Sequence, residues 1–464
     1  MISNLNQQLY KIFPAWENLT TTARKNSKPL YLVGGALRDL LRGEPISDLD
    51  FACPAGDMAY WEDSLLSMVK GRFITLGAKK FMTRRLVGQK MTVDLAALNG
   101  PNVVSDLQLR DFTINAMAWG LHEQSFHDPY EGHKALQEST IVCVAPENLL
   151  ADPLRVIRAA RFMLQIDGEL SPTTRAAMST AVSSLDKVAP ERFAVEFNHI
   201  LANPQAARGL RELAAVGALQ KILPPLAALE GLEQNNFHHL DAFAHTLATV
   251  EALDRFCQNN QFSIAPPNPA DRVLLKWAAL LHDTGKALTK TVDPDTGTIH
   301  FFGHERFSAH LARETLVGFA LGKDFLKRLT RLIENHLRPL LLNPDNAKKK
   351  SLRRLIFDLE GDLDLLLLHA LADLEATRGR NPGPRHETLL KLARRLKEIY
   401  HLERANFIKP LISGRDLLAL GLEPGPAIGI IIKLIHQKQL NGTINNQAEA
   451  EAEARLLISE KEIL

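Results

Sequence analysis

In GGALRDLLRGEPISDLDF, residues 34–51, Asp48 and Asp50 stand two apart in a run that reads as a strand. The side-chain period of a strand is two, so both carboxylates point to one face. Such a pair can share two Mg²⁺ ions, one activating an attacking hydroxyl and the other holding a triphosphate and its leaving oxygen. Gly34 and Gly35 precede the pair, and residues without a Cβ let the backbone approach phosphates closely. Asp94, in KMTVDLAAL on another strand-like run, is the best candidate to complete the cage. For an isolated DxD the plainer reading is a solvated strand end with Asp94 in a turn.

The elements that must position these groups can be read from pattern. PLYLVGG, residues 29–35, reads as a strand entering a glycine turn, ALRDLLRG as a short helix, and DLDFACP as a second strand. From about Asn148 to Pro225 the periodicity is helical, in segments such as ADPLRVIRAARFMLQ and PERFAVEFNHILA, broken by Pro or Gly. A third region, from about Asn236 to Tyr400, carries most of the histidines, with a Pro-rich break at APPNPADR and a loop at DPDTGT. The remainder is a helical tail. The expected organisation is an α/β head over 1–147, a helical neck over 148–235, a histidine-rich domain over 236–400 and a tail over 401–464, with no repeats of 20 to 50 residues.

Composition bounds the rest. The 464 residues are 45% hydrophobic and 23% charged, which places the chain in the globular class with room for two to four domains. Lys+Arg 55 against Asp+Glu 53 leaves a formal charge of +2, so any nucleic-acid site must be a local basic patch. Cys53, Cys143 and Cys257 form no CxxC pair, which excludes a disulfide framework and a Cys-based zinc site and fits a reducing cytoplasm. The N-terminus has no basic start followed by an apolar run, and runs such as LDLLLLHALADL are broken by charge too early to span a bilayer.

An ordered set of further motifs comes after the DxD: RDFTINAMA at 110–118, ADPLRVIRAARF at 151–162 and PERFAVEF at 190–197. Over about its first 230 residues the chain resembles the class II CCA-adding and poly(A) polymerase family, in which these motifs come in this order. The resemblance implies a polymerase-beta-like nucleotidyltransferase head, CTP and ATP as substrates, and a tRNA 3′ end and acceptor region as partner. By the same resemblance Gly34, Gly35, Arg38, Arg110, Asp111 and Asn115 surround the nucleotide, with Asp111 reading the ribose 2′ hydroxyl.

Asp152 and Arg155 lie three apart on an expected helix, hence on one face. A carboxylate accepts from the exocyclic amine that C and A carry, and a guanidinium donates to ring acceptors, so U and G meet like-facing groups. In the resembled family this pair is the amino-acid template. Arg158 and Arg161 continue the basic face, toward triphosphate or RNA phosphate, or as structural ion pairs. Glu191 and Arg192 read as a brace between helices.

Three departures from the family pattern stand out: Ala151 where a charged residue usually precedes the templating Asp, Leu109 where a second arginine usually precedes the DFTINA Asp, and a short connection. Only AALNGPNVVSDLQL separates Leu95 from Arg110, the stretch that in full CCA-adding enzymes holds a flexible loop associated with the switch from CTP to ATP. Similar shortening marks relatives that add only the two cytidines. The family also leaves a full CCA, an A-adding or a poly(A) polymerase activity open.

LLHDTGKA places His282 and Asp283 at the end of an apolar helix and resembles the HD phosphohydrolase superfamily. His245, His304, His336 and Asp373 occur in that superfamily's order, with His310 a further candidate. Imidazoles and carboxylates from separate helices can hold Mg²⁺ or a divalent transition metal, singly or in pairs, that activates water against a phosphoester. Buried, hydrogen-bonded histidines in a decayed site are the alternative. In similar enzymes this domain is associated with phosphatase or cyclic phosphodiesterase action on RNA ends. Lys286 would contact phosphate or balance a helix end.

KKKSLRR supplies Lys348, Lys349, Lys350, Arg353 and Arg354, a stripe suited to RNA phosphate or to a solvated helix face. A membrane or an obligate protein partner is not expected.

Overall fold

The computed structural model describes residues 5–76, 83–88, 91–234, 240–258, 264, 266–359, 361–378, 383–440 and 442–459. Two compact units emerge: Met1–Asn203 with Arg208–Ile222, and Pro204–Ala207 with Leu223–Leu464.

The first unit is built on a seven-stranded mixed sheet. Its strands are β1 (Tyr31–Val33), β2 (Asp48–Cys53), β3 (Gly71–Leu76), β4 (Thr83–Gly88), β5 (Thr92–Ala97), β6 (Ala118–Gly120) and β7 (Ser125–His127), in the order β3-β4-β5-β2-β1-β6-β7. β2 and β5 run parallel in register, with Leu49 opposite Val93, Asp50 opposite Asp94 and Phe51 opposite Leu95. Alternation then divides the two faces. Leu32, Leu49, Phe51, Leu86, Val93 and Leu95 are all within 1% of complete burial and form one core with Trp16, Leu37 and Trp61. Each such side chain contributes roughly 1.5–3 kcal/mol by leaving water. Slipping either strand by one residue would bury the aspartates instead, so the hydrophobic pattern fixes where the carboxylates face.

The helices Pro146–Ala151, Arg155–Gln165 and Pro190–Ala202 come after the sheet within this unit. A separate helix was expected to carry Asp152 and Arg155 together. Instead Asp152 is extended (φ −134°, ψ 93°) and ends the helix Pro146–Ala151, while Arg155 opens the next. Pro153 supplies the reason, since the residue before a proline is driven out of the helical region.

The second unit is helical. Ala242–Phe256, Pro269–Leu281, His304–Leu316, Lys323–Asn335 and Leu363–Arg378 pack on one another around a histidine cluster, and DPDTGT is the turn of a hairpin between Lys290–Val292 and Ile299–Phe301. The expected boundary at 235/236 lies outside the described residues. The helix Gly383–Ile408 runs unbroken through residues 400 and 401, where the sequence pattern placed the start of the tail. A small core of Ile412, Leu417, Ile431, Ile435, Ala450 and Ala454 holds the last helices together. Among the described residues no helix is long and apolar enough to cross a membrane.

Candidate active site

Asp48 and Asp50 share the face of β2 opposite the core, and Asp94 stands beside Asp50 on β5. Across the next pairing Arg85 faces Asp94 and donates two hydrogen bonds to its carboxylate, at 2.8 and 2.7 Å. Burial, then repulsion from Asp94, then Asp48, pushes the Asp50 carboxyl up to about 6, against the pull of Arg110 and Arg85. Both oxygens of Asp94 accept from Arg85, whereas among the described residues Asp48 and Asp50 are free of such a clamp and are carboxylates of the kind that hold a divalent metal.

Gly34 closes the site on one side. Its φ of +73° lies in the left-handed region, and a Cβ there would sit 3.2 Å from Asp50 Oδ2 and 3.4 Å from Arg110 Nη1. The helix Gly35–Arg42 begins directly after it, so the helix start, where N–H groups lack helical partners, lies at the cavity wall, an arrangement suited to phosphate. Gly34→Ala is expected to cost of the order of 1–2 kcal/mol in backbone strain and to displace Asp50. The measurement is KM for the nucleoside triphosphate, which should rise at least about tenfold. An unchanged KM would remove Gly34 from the site.

A cavity of about 650 Å³ adjoins these groups, and its walls include Gly34, Gly35, Arg38, Asp50, Arg110, Asp111, Asn115, Asp152, Arg155, Arg158 and Arg161. Its floor is a buried polar chain. Asn115 accepts from Arg38 Nη1 at 2.8 Å and donates to Asp111 Oδ1 at 3.0 Å. Arg158 grips Asp111 Oδ2 with two bonds, of 2.9 and 2.6 Å. Burial pushes Asp111 up, but Arg158, Asn115 and the Phe112 N–H outweigh it and leave the carboxyl below its ordinary value. Glu196, itself 5% exposed, ties Arg158 and Arg161 from the helix Pro190–Ala202. The two arginines are thus paired within the protein and also line the cavity. Arg155 donates to the carbonyls of Leu109 (2.8 Å) and Asn148 (3.2 Å).

Sequence reasoning missed Arg192 as part of this cavity. Its Nη2 lies 3.1 Å from Asp152 Oδ2, and His199 on the same helix and Asn203 just after its end also line the wall. The signal was present in the spacing 192, 196 and 199, which is one helical face.

In the second unit, His245, His282, Asp283, His304, His336 and Asp373 converge, each at most 6% exposed. Asp283 is the hub: His282 Nε2 lies 3.2 Å from Oδ2, His304 Nε2 3.2 Å from Oδ1, and Lys286 Nζ 2.6 Å from Oδ2. His245 Nε2 is 3.0 Å from Asp373. Burial opposes ionisation of Asp283, yet His282 and Lys286 hold it well below its ordinary value. The Nδ1 atoms of His282, His304 and His336 meet the carbonyls of Ala279, Phe301 and Ile333 at 2.7 to 2.8 Å, each three residues earlier. A carbonyl can only accept, so Nδ1 carries a proton in each ring, and Nε2 is the nitrogen that a neutral ring would offer to a metal; burial opposes charge on His282, but Asp283 holds it toward the charged form. The ligand atoms of His245, His282 and Asp283 lie within 4.8 Å of one another, as do those of Asp283, His304 and His336. The set fits a divalent metal, with one Asp283 oxygen toward each group.

The cluster differs from the expected set in two histidines. His310 is outside it, 66% exposed and paired with Glu314, because six residues turn it a third of a turn away from His304 on the same helix. His369, unanticipated, packs its ring on His282 with centroids 5.0 Å apart, and burial, then His282, presses its pKa down to about 3. It precedes Asp373 by one helical turn, the signal that would have found it. Lys286, expected as a phosphate contact or a helix-end charge, is buried and bonded to Asp283 and to Gln234 Oε1 at 2.6 Å, opens the short helix Lys286–Thr289 and lines the cavity beside the cluster. Lys348, Lys349, Lys350 and Arg354 are exposed at or near the start of the helix Lys349–Leu359, with Arg353 half-buried.

A cavity of this volume is of the size that encloses a nucleotide, and Asp50 on its wall, with Asp48 on the same strand and Asp94 opposite, supplies carboxylates of the type that metal-assisted nucleotidyl transfer uses. The protein is an enzyme of the nucleotidyltransferase class. A family model described as the poly A polymerase head domain matches residues 30–142, one described as a probable RNA and SrmB-binding site of polymerase A matches 169–229, and the HD domain model matches 242–372. An A-adding tRNA nucleotidyltransferase of Deinococcus radiodurans is 36% identical over 91% of this chain and 94% of its own length. A CC-adding tRNA nucleotidyltransferase of Thermus thermophilus is 33% identical over 92% and 93%. The chain belongs to the tRNA nucleotidyltransferase and poly(A) polymerase family. Its fold is that of a Thermotoga maritima CCA-adding enzyme solved with tRNA, at a TM-score of 0.60, 20% identity and 98% coverage of both chains.

Proposed function

We propose that the chain is a tRNA 3′-end nucleotidyltransferase of single base specificity, adding either the cytidines or the adenosine of the CCA terminus from CTP or ATP, in the cytoplasm. The observation that carries the transfer chemistry is the register pairing of Asp50 with Asp94, which sets three carboxylates on one face of the sheet beside the cavity. Mg²⁺ bound there would activate the terminal hydroxyl and stabilise the leaving pyrophosphate. Asp48 and Asp50 would hold the ions with Asp94 as the third catalytic carboxylate, Gly34, Gly35 and Arg38 would face the triphosphate, and Asp111, positioned by Asn115, would meet the ribose. Asp152 and Arg155 read the base. The proposed organisation is a head over 1–147, a neck over 148–235, an HD domain over 236–400 and a tail over 401–464, with the basic residues at 348–350, 353 and 354 against RNA phosphate.

Single specificity rests on the connection after Asp94. β5 ends at Ala97, and the helix Val103–Gln108, capped by Asn102 accepting from the Ser105 N–H at 2.9 Å, starts after a short turn. That connection is short against the loop associated with exchanging CTP for ATP. The assay uses tRNAs ending before CCA, after C and after CC, with CTP, ATP or both. A CC-adding enzyme stops after the second C with ATP present. An A-adding enzyme extends only the CC end. Synthesis of all three nucleotides overturns single specificity, and ATP-only extension of arbitrary RNA would favour a poly(A) polymerase.

The backbone-fixed imidazoles favour a second activity, a metal-dependent phosphohydrolase acting on RNA ends. Its cavity, about 480 Å³, adds Arg385 and an apolar rim of Phe302, Leu340 and Leu341 to the cluster. Metal-dependent phosphate release that survives substitution of Asp48 and Asp50 and disappears in His282→Ala is the expected result.

A further inference from the structure

Both halves of the base-reading pair must be aimed before they can discriminate. Arg155 is aimed by two backbone carbonyls. Asp152 stands in extended backbone at a helix end, where no helical packing fixes its side chain. The terminal torsion of an aspartate is broad and two-fold, so a carboxylate without a partner samples many directions. Among the described residues the sole hydrogen-bonding or ion-pair partner of this one is Arg192, whose Nη2 reaches Oδ2 and leaves Oδ1 unbonded, on a residue that lines the cavity.

The helix that presents Arg192 is itself anchored. One turn further on, Glu196 is buried between Arg158 and Arg161, so Arg192 projects from a fixed face. A charge-assisted bond that pins one carboxylate oxygen sets the direction of the other.

We propose that Arg192 is a positioning residue that orients the Asp152 carboxylate toward the amine-bearing base edge, and so sets discrimination of CTP and ATP against UTP and GTP. The proposal rests on Asp152 as base reader. The pair is half-exposed, with Arg192 at 49% and Asp152 at 34%, and ion pairs so exposed contribute little to folding. Its contribution therefore shows in selectivity and not in stability.

The test measures addition to a tRNA end that the wild type extends, with each of the four nucleotides, in Arg192→Ala, Arg192→Lys and Asp152→Ala, together with melting temperatures. In Arg192→Ala, discrimination between correct and incorrect base falls about tenfold, mainly through a higher KM for the correct nucleotide, while the melting temperature stays near the wild-type value. Arg192→Lys, which keeps a donor without the planar fork, recovers part of the loss. Unchanged discrimination in Arg192→Ala overturns the proposal, as does a parallel fall in stability and in activity with all four nucleotides. Asp152→Ala separates the two failures: if it too leaves discrimination intact, the assignment of Asp152 as base reader is what has failed.

Discussion

Asp50→Asn is expected to abolish nucleotide addition and, in the absence of divalent metal, to make the protein more stable. The first effect, about 10³-fold or more in kcat, arises because Asp50 sits between Asp48 on its own strand and Asp94 on the next. The second arises from its ionisation. Its folded carboxyl titrates near 6, against roughly 3.9 for an unfolded aspartate. A raised folded value means that the stabilisation is complete below about pH 4 and is lost as the pH rises through about 6. At pH 7.5 the metal-free protein carries this penalty, on the order of 3 kcal/mol, and the neutral amide removes it. Thermal unfolding in chelator at pH 5 and pH 7.5 checks the sign: the variant should exceed the wild type by more at pH 7.5. A variant less stable at both values would mean that the carboxylates are not crowded. Asp48→Ala should match it in activity.

Asp283→Ala should have the largest effect on stability. It removes the carboxylate that His282, His304 and Lys286 share and strands the Lys286 ammonium, itself 6% exposed. Breaking a buried pair from one side costs about 3–5 kcal/mol, or roughly 10 °C for a unit of this size. Asp283→Asn with Lys286→Met removes both charges and should regain most of that loss. Metal binding, followed by calorimetry, should vanish in both variants, while nucleotide addition continues wherever the protein stays folded. The depressed values of Asp283 and Asp373 give the opposite pH sign from Asp50. Their stabilisation is present above about pH 4 and is lost as the pH falls. Full stability and metal binding in Asp283→Ala would refute the hub.

The parts of the site that were legible in sequence are those whose geometry is local or whose order is distinctive. Asp48 and Asp50 share a face because strands have period two, and DLDF followed by VDLA carries enough alternation to place Asp94 as well. His282 and Asp283 announce themselves at the end of an apolar helix. The residues that escaped depend on contacts across the chain. Asp152 leaves its expected helix through Pro153, a local rule that the strong periodicity of RVIRAARF masks. Arg192 looked like a brace because its partner, forty positions away, is defined only once the helix Pro190–Ala202 lies along the cavity. His369 sits among leucines in LLLLHALAD, a setting that reads as core until His282 is known to lie against it.

The division of labour between the sheet and the helices beyond it bears on how such enzymes diversify. The carboxylates proposed to perform the transfer are locked into paired strands, where a shift of register would invert the whole face. Asp152 and Arg155, proposed to choose the base, stand after the strands, on a helix end and the start of the next helix. Selection can therefore exchange one added letter for another by altering the second set while the first is inherited intact. Similarity to an A-adding and to a CC-adding protein, at 36% and 33% identity, accords with that division.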